Sequence, residues 1–78
     1  MSDVLKIIAD PIKVSIRTER DSVTRMITIF KNSIVATETT ESGGRNSFTI
    51  STVDGKDIQL HNLTYEQMKN LSNGIYGR

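Results

Sequence analysis

Thr64-Tyr65-Glu66-Gln67-Met68-Lys69-Asn70-Leu71-Ser72-Asn73-Gly74-Ile75 spells a short helix with both ends marked. Thr64 and Gln67 have the capping-box spacing, in which the Thr hydroxyl accepts from the Gln67 amide and the Gln side chain reaches back to the cap. Leu63 before the cap and Met68 after it stand where a hydrophobic staple closes. Met68, Leu71 and Ile75 form one apolar stripe. Asn73-Gly74 offers a left-handed stop.

Upstream of this helix the period changes from 3.6 to two. In Asp57-Ile58-Gln59-Leu60 the apolar residues alternate with polar ones, as on a half-buried strand. Asp54-Gly55 marks the hairpin before it. A two-residue turn on that pair sets Ile50 against Gln59. A three-residue loop, Val53-Asp54-Gly55, with Gly55 in a bulge, sets Ile50 against Ile58 and Phe48 against Leu60, and the apolar match favours the bulged loop. Asn46 to Val53 is then a strand, and Ile34 to Thr40 is the strand before it. Between those two lies Glu41-Ser42-Gly43-Gly44-Arg45, the most flexible stretch, whose glycines are free to take positive φ. Asn32-Ser33 makes the preceding turn.

Earlier still, Ile12, Val14 and Ile16 alternate with Lys13, Ser15 and Arg17, and a second strand runs from Val23 to Lys31. A hairpin with Arg20-Asp21 at its tip sets Ile12 against Ile29 and Val14 against Ile27. With Met26 and Phe30 on its other face, this second strand is the candidate for a central strand. Residues 4 to 8 (Val4, Leu5, Ile7, Ile8) have helical spacing over two turns, with Ser2 or Asp3 as cap and Asp10-Pro11 as stop. A short edge strand is the alternative reading. The expected fold is α+β: an antiparallel β-meander of four to five strands, one C-terminal helix packed on one face, and an optional short N-terminal helix, all in a single domain spanning 1–78.

Composition narrows the function classes. At 78 residues there is one core, and a chain this short buries only about 60% of its unfolded surface. The sequence has no cysteine and one histidine, which removes disulfides, thiolate metal sites and cysteine nucleophiles. No metal or other cofactor is expected. A second chain is the remaining support for so small a domain, so a homodimer is in view. The net charge of +1 argues against a dedicated nucleic-acid or membrane-surface protein. No apolar run approaches the roughly 20 residues of a membrane span. No secretory signal is visible at Met1-Ser2-Asp3, so the cytoplasm is the default address.

Catalysis finds no set of convergent groups. His61 sits at a strand end without a nucleophile, Asp54 belongs to a turn, and Asp57 faces outward from a strand. Ser42-Gly43-Gly44-Arg45 is too short for a phosphate cradle. The tail Asp57-Ile58-Gln59-Leu60, followed by Leu63 to Leu71, resembles the strand-to-helix passage of the transcriptional-coactivator family of single-stranded-DNA binders. That resemblance spans residues 57–71 and consists of capping-box and amphipathic chemistry; the family's upstream aromatic-basic strands are missing. Two binding surfaces remain. Met26 and Phe30, on an otherwise polar sheet face, are the anchors of a protein-binding patch with Arg17 and Arg45 at its rim. Lys13, Arg17, Arg20 and Arg45 are the alternative, a basic face for nucleic acid, although Glu19, Asp21, Glu38 and Glu41 are interleaved with them. The expected function is a non-enzymatic protein-binding module of the phage or mobile-element type, an inhibitor or adaptor of a host protein, with nucleic-acid binding as the second reading.

Overall fold

The computed structural model describes residues 3–76. Six strands precede one helix: β1 (Val4–Ala9), β2 (Lys13–Arg20), β3 (Val23–Phe30), β4 (Ile34–Ser42), β5 (Arg45–Thr52), β6 (Asp57–Leu63) and α1 (Tyr65–Tyr76). They form two antiparallel three-stranded sheets, ordered β1-β2-β3 and β4-β5-β6. The fold is α+β, but the single meander of four to five strands is replaced by two sheets. The break falls at Lys31–Ser33, where one 3-10 turn follows β3. A tight hairpin there would have continued the sheet; the helical turn starts a second one instead.

Residues 4–8 lie in a strand, not a helix. An isolated helix this short is marginal in water, whereas Ile7 and Ile8 favour a pleated surface and β1 pairs along β2. Ser2, one of the proposed helix caps, lies outside the described residues. A bulge at Leu5, between the pairs Val4↔Thr18 and Lys6↔Arg17, turns Val4 into the core. A second bulge works the same way in β6. Asn62 takes φ +57°, a conformation Asn tolerates, and so Leu60 and Leu63 both point inward although three residues apart.

The β2–β3 hairpin turns on Asp21-Ser22, with φ +53° and +66°. These left-handed values suit a type I′ turn, for which Asp is a better residue than Arg. The register therefore slips by two residues from the expected one: Val14 faces Ile29 and Ile16 faces Ile27, while Ile12 lies outside the strand and exposed. An even slip keeps every side chain on its expected face. β3 is an edge strand and β2 is the central one. In the second sheet, Ile50 faces Ile58 and Phe48 faces Leu60 as expected. The loop between them is the bulged one: Thr52 N–H donates to the Lys56 carbonyl at 2.9 Å and Gly55 takes φ +84°. Gly43-Gly44 form a two-residue turn at φ +58° and +79°.

One core joins all layers. Val4, Val14, Ile16 and Ile29 of the first sheet meet Phe48, Ile50, Leu60 and Leu63 of the second, together with Leu71 and Ile75 of α1. The capping box forms as expected: Gln67 N–H donates to Thr64 Oγ1 and Thr64 N–H donates to Gln67 Oε1, both at 3.1 Å. Gln67 Nε2 also donates to the Val4 carbonyl at 2.7 Å, tying the helix start to β1. α1 packs against β1, β5 and β6, so it bridges the two sheets rather than lying on one. It does not stop at Asn73-Gly74 but continues to Tyr76, whose hydroxyl shares a 2.5 Å hydrogen bond with Thr37 Oγ1 of β4. No helix of the described residues is long and apolar enough to cross a membrane.

Candidate functional site: the outer face of the first sheet

Alternation along β2 sends Val14, Ile16 and Thr18 inward and Lys13, Ser15, Arg17 and Glu19 outward. Pairing then fixes what lies beside each outward residue. Ser15 stands between Ile8 of β1 and Thr28 of β3. Arg17 stands between Lys6 and Met26, and Lys13 stands beside Phe30. Met26 is 62% exposed and Phe30 56%, so neither is covered by the N-terminal segment; β1 lies in the same sheet and cannot roof it. Ile8 is 52% exposed on the same face.

The result is a surface on which apolar and cationic side chains alternate. Lys6 and Arg17 are direct cross-strand neighbours, a like-charge placement that costs stability in a sheet. Among the described residues, neither has an ion-pair partner. Glu19 lies on this face, one hydrogen-bonding repeat along from Arg17 and opposite Thr24, and the Asp10 carboxylate stands at its Lys13 end.

The other cations of interest stand elsewhere. Arg20 falls on the inner parity of β2, opposite Val23, and lines a cleft of about 290 Å³ between the sheets. Arg25, Thr18 and His61 line the same cleft, with Asp3 and Asp21 among its walls. Arg45 opens β5 at the Gly43-Gly44 turn of the second sheet. Of the four residues suggested for nucleic acid, the structure thus puts Lys13 and Arg17 together on one face, Arg20 in the cleft and Arg45 on the other sheet. Of the protein-binding set, Met26, Phe30 and Arg17 share a face.

Lys6 and Ile8 were missed in the sequence because residues 4–8 also fit a helix. Read as a strand, their alternation with Ile7 would have placed both outward. The acids of the turns are occupied locally. Asp10 Oδ1 accepts from the N–H groups of Ile12 and Lys13, both at 2.8 Å, and the Lys13 bond first, then that of Ile12, holds its carboxyl below the ordinary carboxylate value. Asp54 is likewise lowered, chiefly by the Thr52 hydroxyl that donates to it. Among the described residues there is no cluster of His, Asp and Glu able to hold a metal ion. No protein-family model, curated protein or solved structure matches this chain.

Proposed function

We propose that the chain is a non-enzymatic protein-binding module, an inhibitor or adaptor of the phage or mobile-element kind, and that it works by laying the outer face of its first sheet on a partner protein. The observation that carries this reading is the exposure of Met26 and Phe30 beside Arg17 and Lys13, on a face that none of the described residues covers. Large apolar side chains grouped on a surface mark interaction sites, and a few of them dominate the energy. Lys6, Lys13 and Arg17 then set orientation and association rate. Their crowding without acids between Lys6 and Arg17 favours a partner surface that is acidic around an apolar pocket. Arg45 serves as a rim contact where the partner also covers the β4–β5 hairpin.

The test is capture from a nuclease-treated lysate by wild type, Phe30→Ala and Met26→Ala. A dominant protein held by wild type, and lost or weakened at least tenfold by either variant while the variant remains folded, supports the reading. Capture that is unchanged in both variants overturns it. Nucleic-acid binding through Lys13 and Arg17, with Arg20 and Arg45 at a distance, is the second reading. It predicts an affinity that falls with salt by about 0.9 log unit per log unit for each phosphate contact on duplex DNA.

A further inference from the structure

The free edge of β3 has a definite hydrogen-bonding row. A two-residue turn on Asp21-Ser22 makes Arg20↔Val23 a hydrogen-bonded pair, and such pairs recur at every second residue. Val23, Arg25, Ile27 and Ile29 therefore direct their N–H and C=O groups to β2. The phase holds to the far end, where Lys31 N–H donates to the Ile12 carbonyl at 2.9 Å. Thr24, Met26, Thr28 and Phe30 direct theirs away from the sheet, and all four are uncharged and exposed.

The edge strand at the start of the second sheet, β4, differs. By the same phase from Ser42↔Arg45, it presents the backbone of Thr37, Thr39 and Glu41, with Glu38 alongside. Charges of this kind are a common guard against edge pairing. Nor can the two edges pair antiparallel with each other while keeping their faces. The outward row of β3 belongs to the outer face of its sheet, whereas that of β4 belongs to the core face, which Tyr76 of α1 meets at Thr37.

We propose that two copies of this chain pair antiparallel along β3, about a two-fold axis at Met26, to give one six-stranded sheet. Met26 then stands opposite Met26 of the second copy, Thr24 opposite Thr28, Val23 opposite Ile29 and Arg25 opposite Ile27. Every outward-directed backbone group from 24 to 28 finds its complement, and both outer faces remain outer. β-branched and threonine pairs of this type support a sheet. Moving the axis to Thr28 sets Arg25 against Lys31, a like-charge pair; moving it to Ile27 sets Val23 against Lys31. The Met26 axis avoids both. Closed two-fold pairing is the commonest form of homo-oligomer.

The pairing does not rest on the protein-binding reading, since one face can hold a partner with or without a second copy. Its test uses the absence of cysteine from the chain. Sedimentation equilibrium of wild type should give a dimer. Met26→Cys should cross-link on mild oxidation, several-fold more than Thr40→Cys, whose residue lies on the outer face of the second sheet. Thr28→Pro removes an outward N–H and no bond to β2, a position where an edge strand accommodates proline. It should therefore be monomeric with an unchanged circular-dichroism spectrum. A wild type that stays monomeric at millimolar concentration overturns the pairing. So does a dimer that persists in Thr28→Pro, or equal cross-linking of the two cysteine variants. A monomer whose Thr28→Pro variant loses partner capture would assign the edge to a foreign strand and equally overturn self-pairing. Loss of the dimer with partner capture intact would leave both proposals standing separately.

Discussion

Gly74 of α1 lies so close to Ala9 of β1 that a Cβ on the glycine would stand 2.9 Å from the alanine's Cβ. The glycine is thus neither a stop signal nor a flexible point. It is the place where the last helical turn touches the first strand, and Ala9 is small for the same reason.

Gly74→Ala is accordingly expected to destabilise the domain, although alanine is intrinsically better in a helix by about 1 kcal/mol. Overpacking of this kind typically costs about 1–3 kcal/mol. Ala9→Gly in the same chain should restore much of the loss. Urea midpoints of the two single variants and the double variant measure the coupling, and a stabilised single Gly74→Ala would refute the contact.

Gln67 is expected to be better than glutamate at its position, against the usual equivalence of the two in a capping box. Glutamate keeps an acceptor for the Thr64 N–H but has no N–H for the Val4 carbonyl, which Gln67 supplies at 2.7 Å. A carboxylate beside that carbonyl leaves an acceptor facing an acceptor. Gln67→Glu should lower stability by about 1–2 kcal/mol, the order of a lost hydrogen bond with its partner unsatisfied, and Gln67→Ala should cost at least as much. Chemical denaturation at neutral pH reads both.

Phe30→Ala and Phe48→Ala should separate cleanly. Phe48 is fully buried between Ile50, Leu60 and the helix, and its truncation should cost about 3–5 kcal/mol. Phe30 is 56% exposed on the outer face, and its removal should leave the thermal midpoint of the monomer within a few degrees. If Phe30→Ala unfolds the domain, Phe30 belongs to the core and loses its place as an anchor.

Asp10 should make stability depend on pH in the acid range. Its carboxyl is held below the ordinary value by the Lys13 and Ile12 amides, so the folded state favours the ionised form. The contribution is present above the ordinary carboxylate value of 3.8 and is lost as pH falls through the lower folded value. Asp10→Ala should melt below wild type at pH 7, and the difference should narrow as the solution is acidified. A gap that stays constant between pH 7 and pH 2 would show that the two amide bonds do not matter to folding.

Where local rules were strong, the sequence sufficed. The capping box on Thr64 and Gln67 and the Gly55 bulge are fixed by residues within a few positions, and both stand as read. The apolar match of Ile50 with Ile58 carried the second hairpin. What could not be read depends on contacts between distant segments. Residues 4–8 satisfy two periods, and only the β2 edge decides between them. The place of Gly74 inside the helix, where a stop was expected, is governed by Ala9, sixty-five residues away. The bulges at Leu5 and Asn62 shift the period by one residue, which a strict alternation count does not detect. The outer face suffered from the same gap: Met26, Phe30, Lys13 and Arg17 were legible from their parity, whereas Lys6 and Ile8 waited on the strand assignment of β1.

Each sheet is built from strands consecutive in the chain, so every strand pair closes over a two- or three-residue loop or a short bend. Local pairing of this sort favours rapid folding. The seam that joins the first strand to the last elements, through Val4 and Gln67 and through Ala9 and Gly74, closes across most of the chain. Two hairpin meanders can therefore form early and independently, while the shared core waits for the helix to return to β1. Contacts that close after the transition state act mainly on unfolding, so substitutions at Ala9 or Gln67 are expected to be felt in how fast the molecule opens more than in how fast its sheets first assemble.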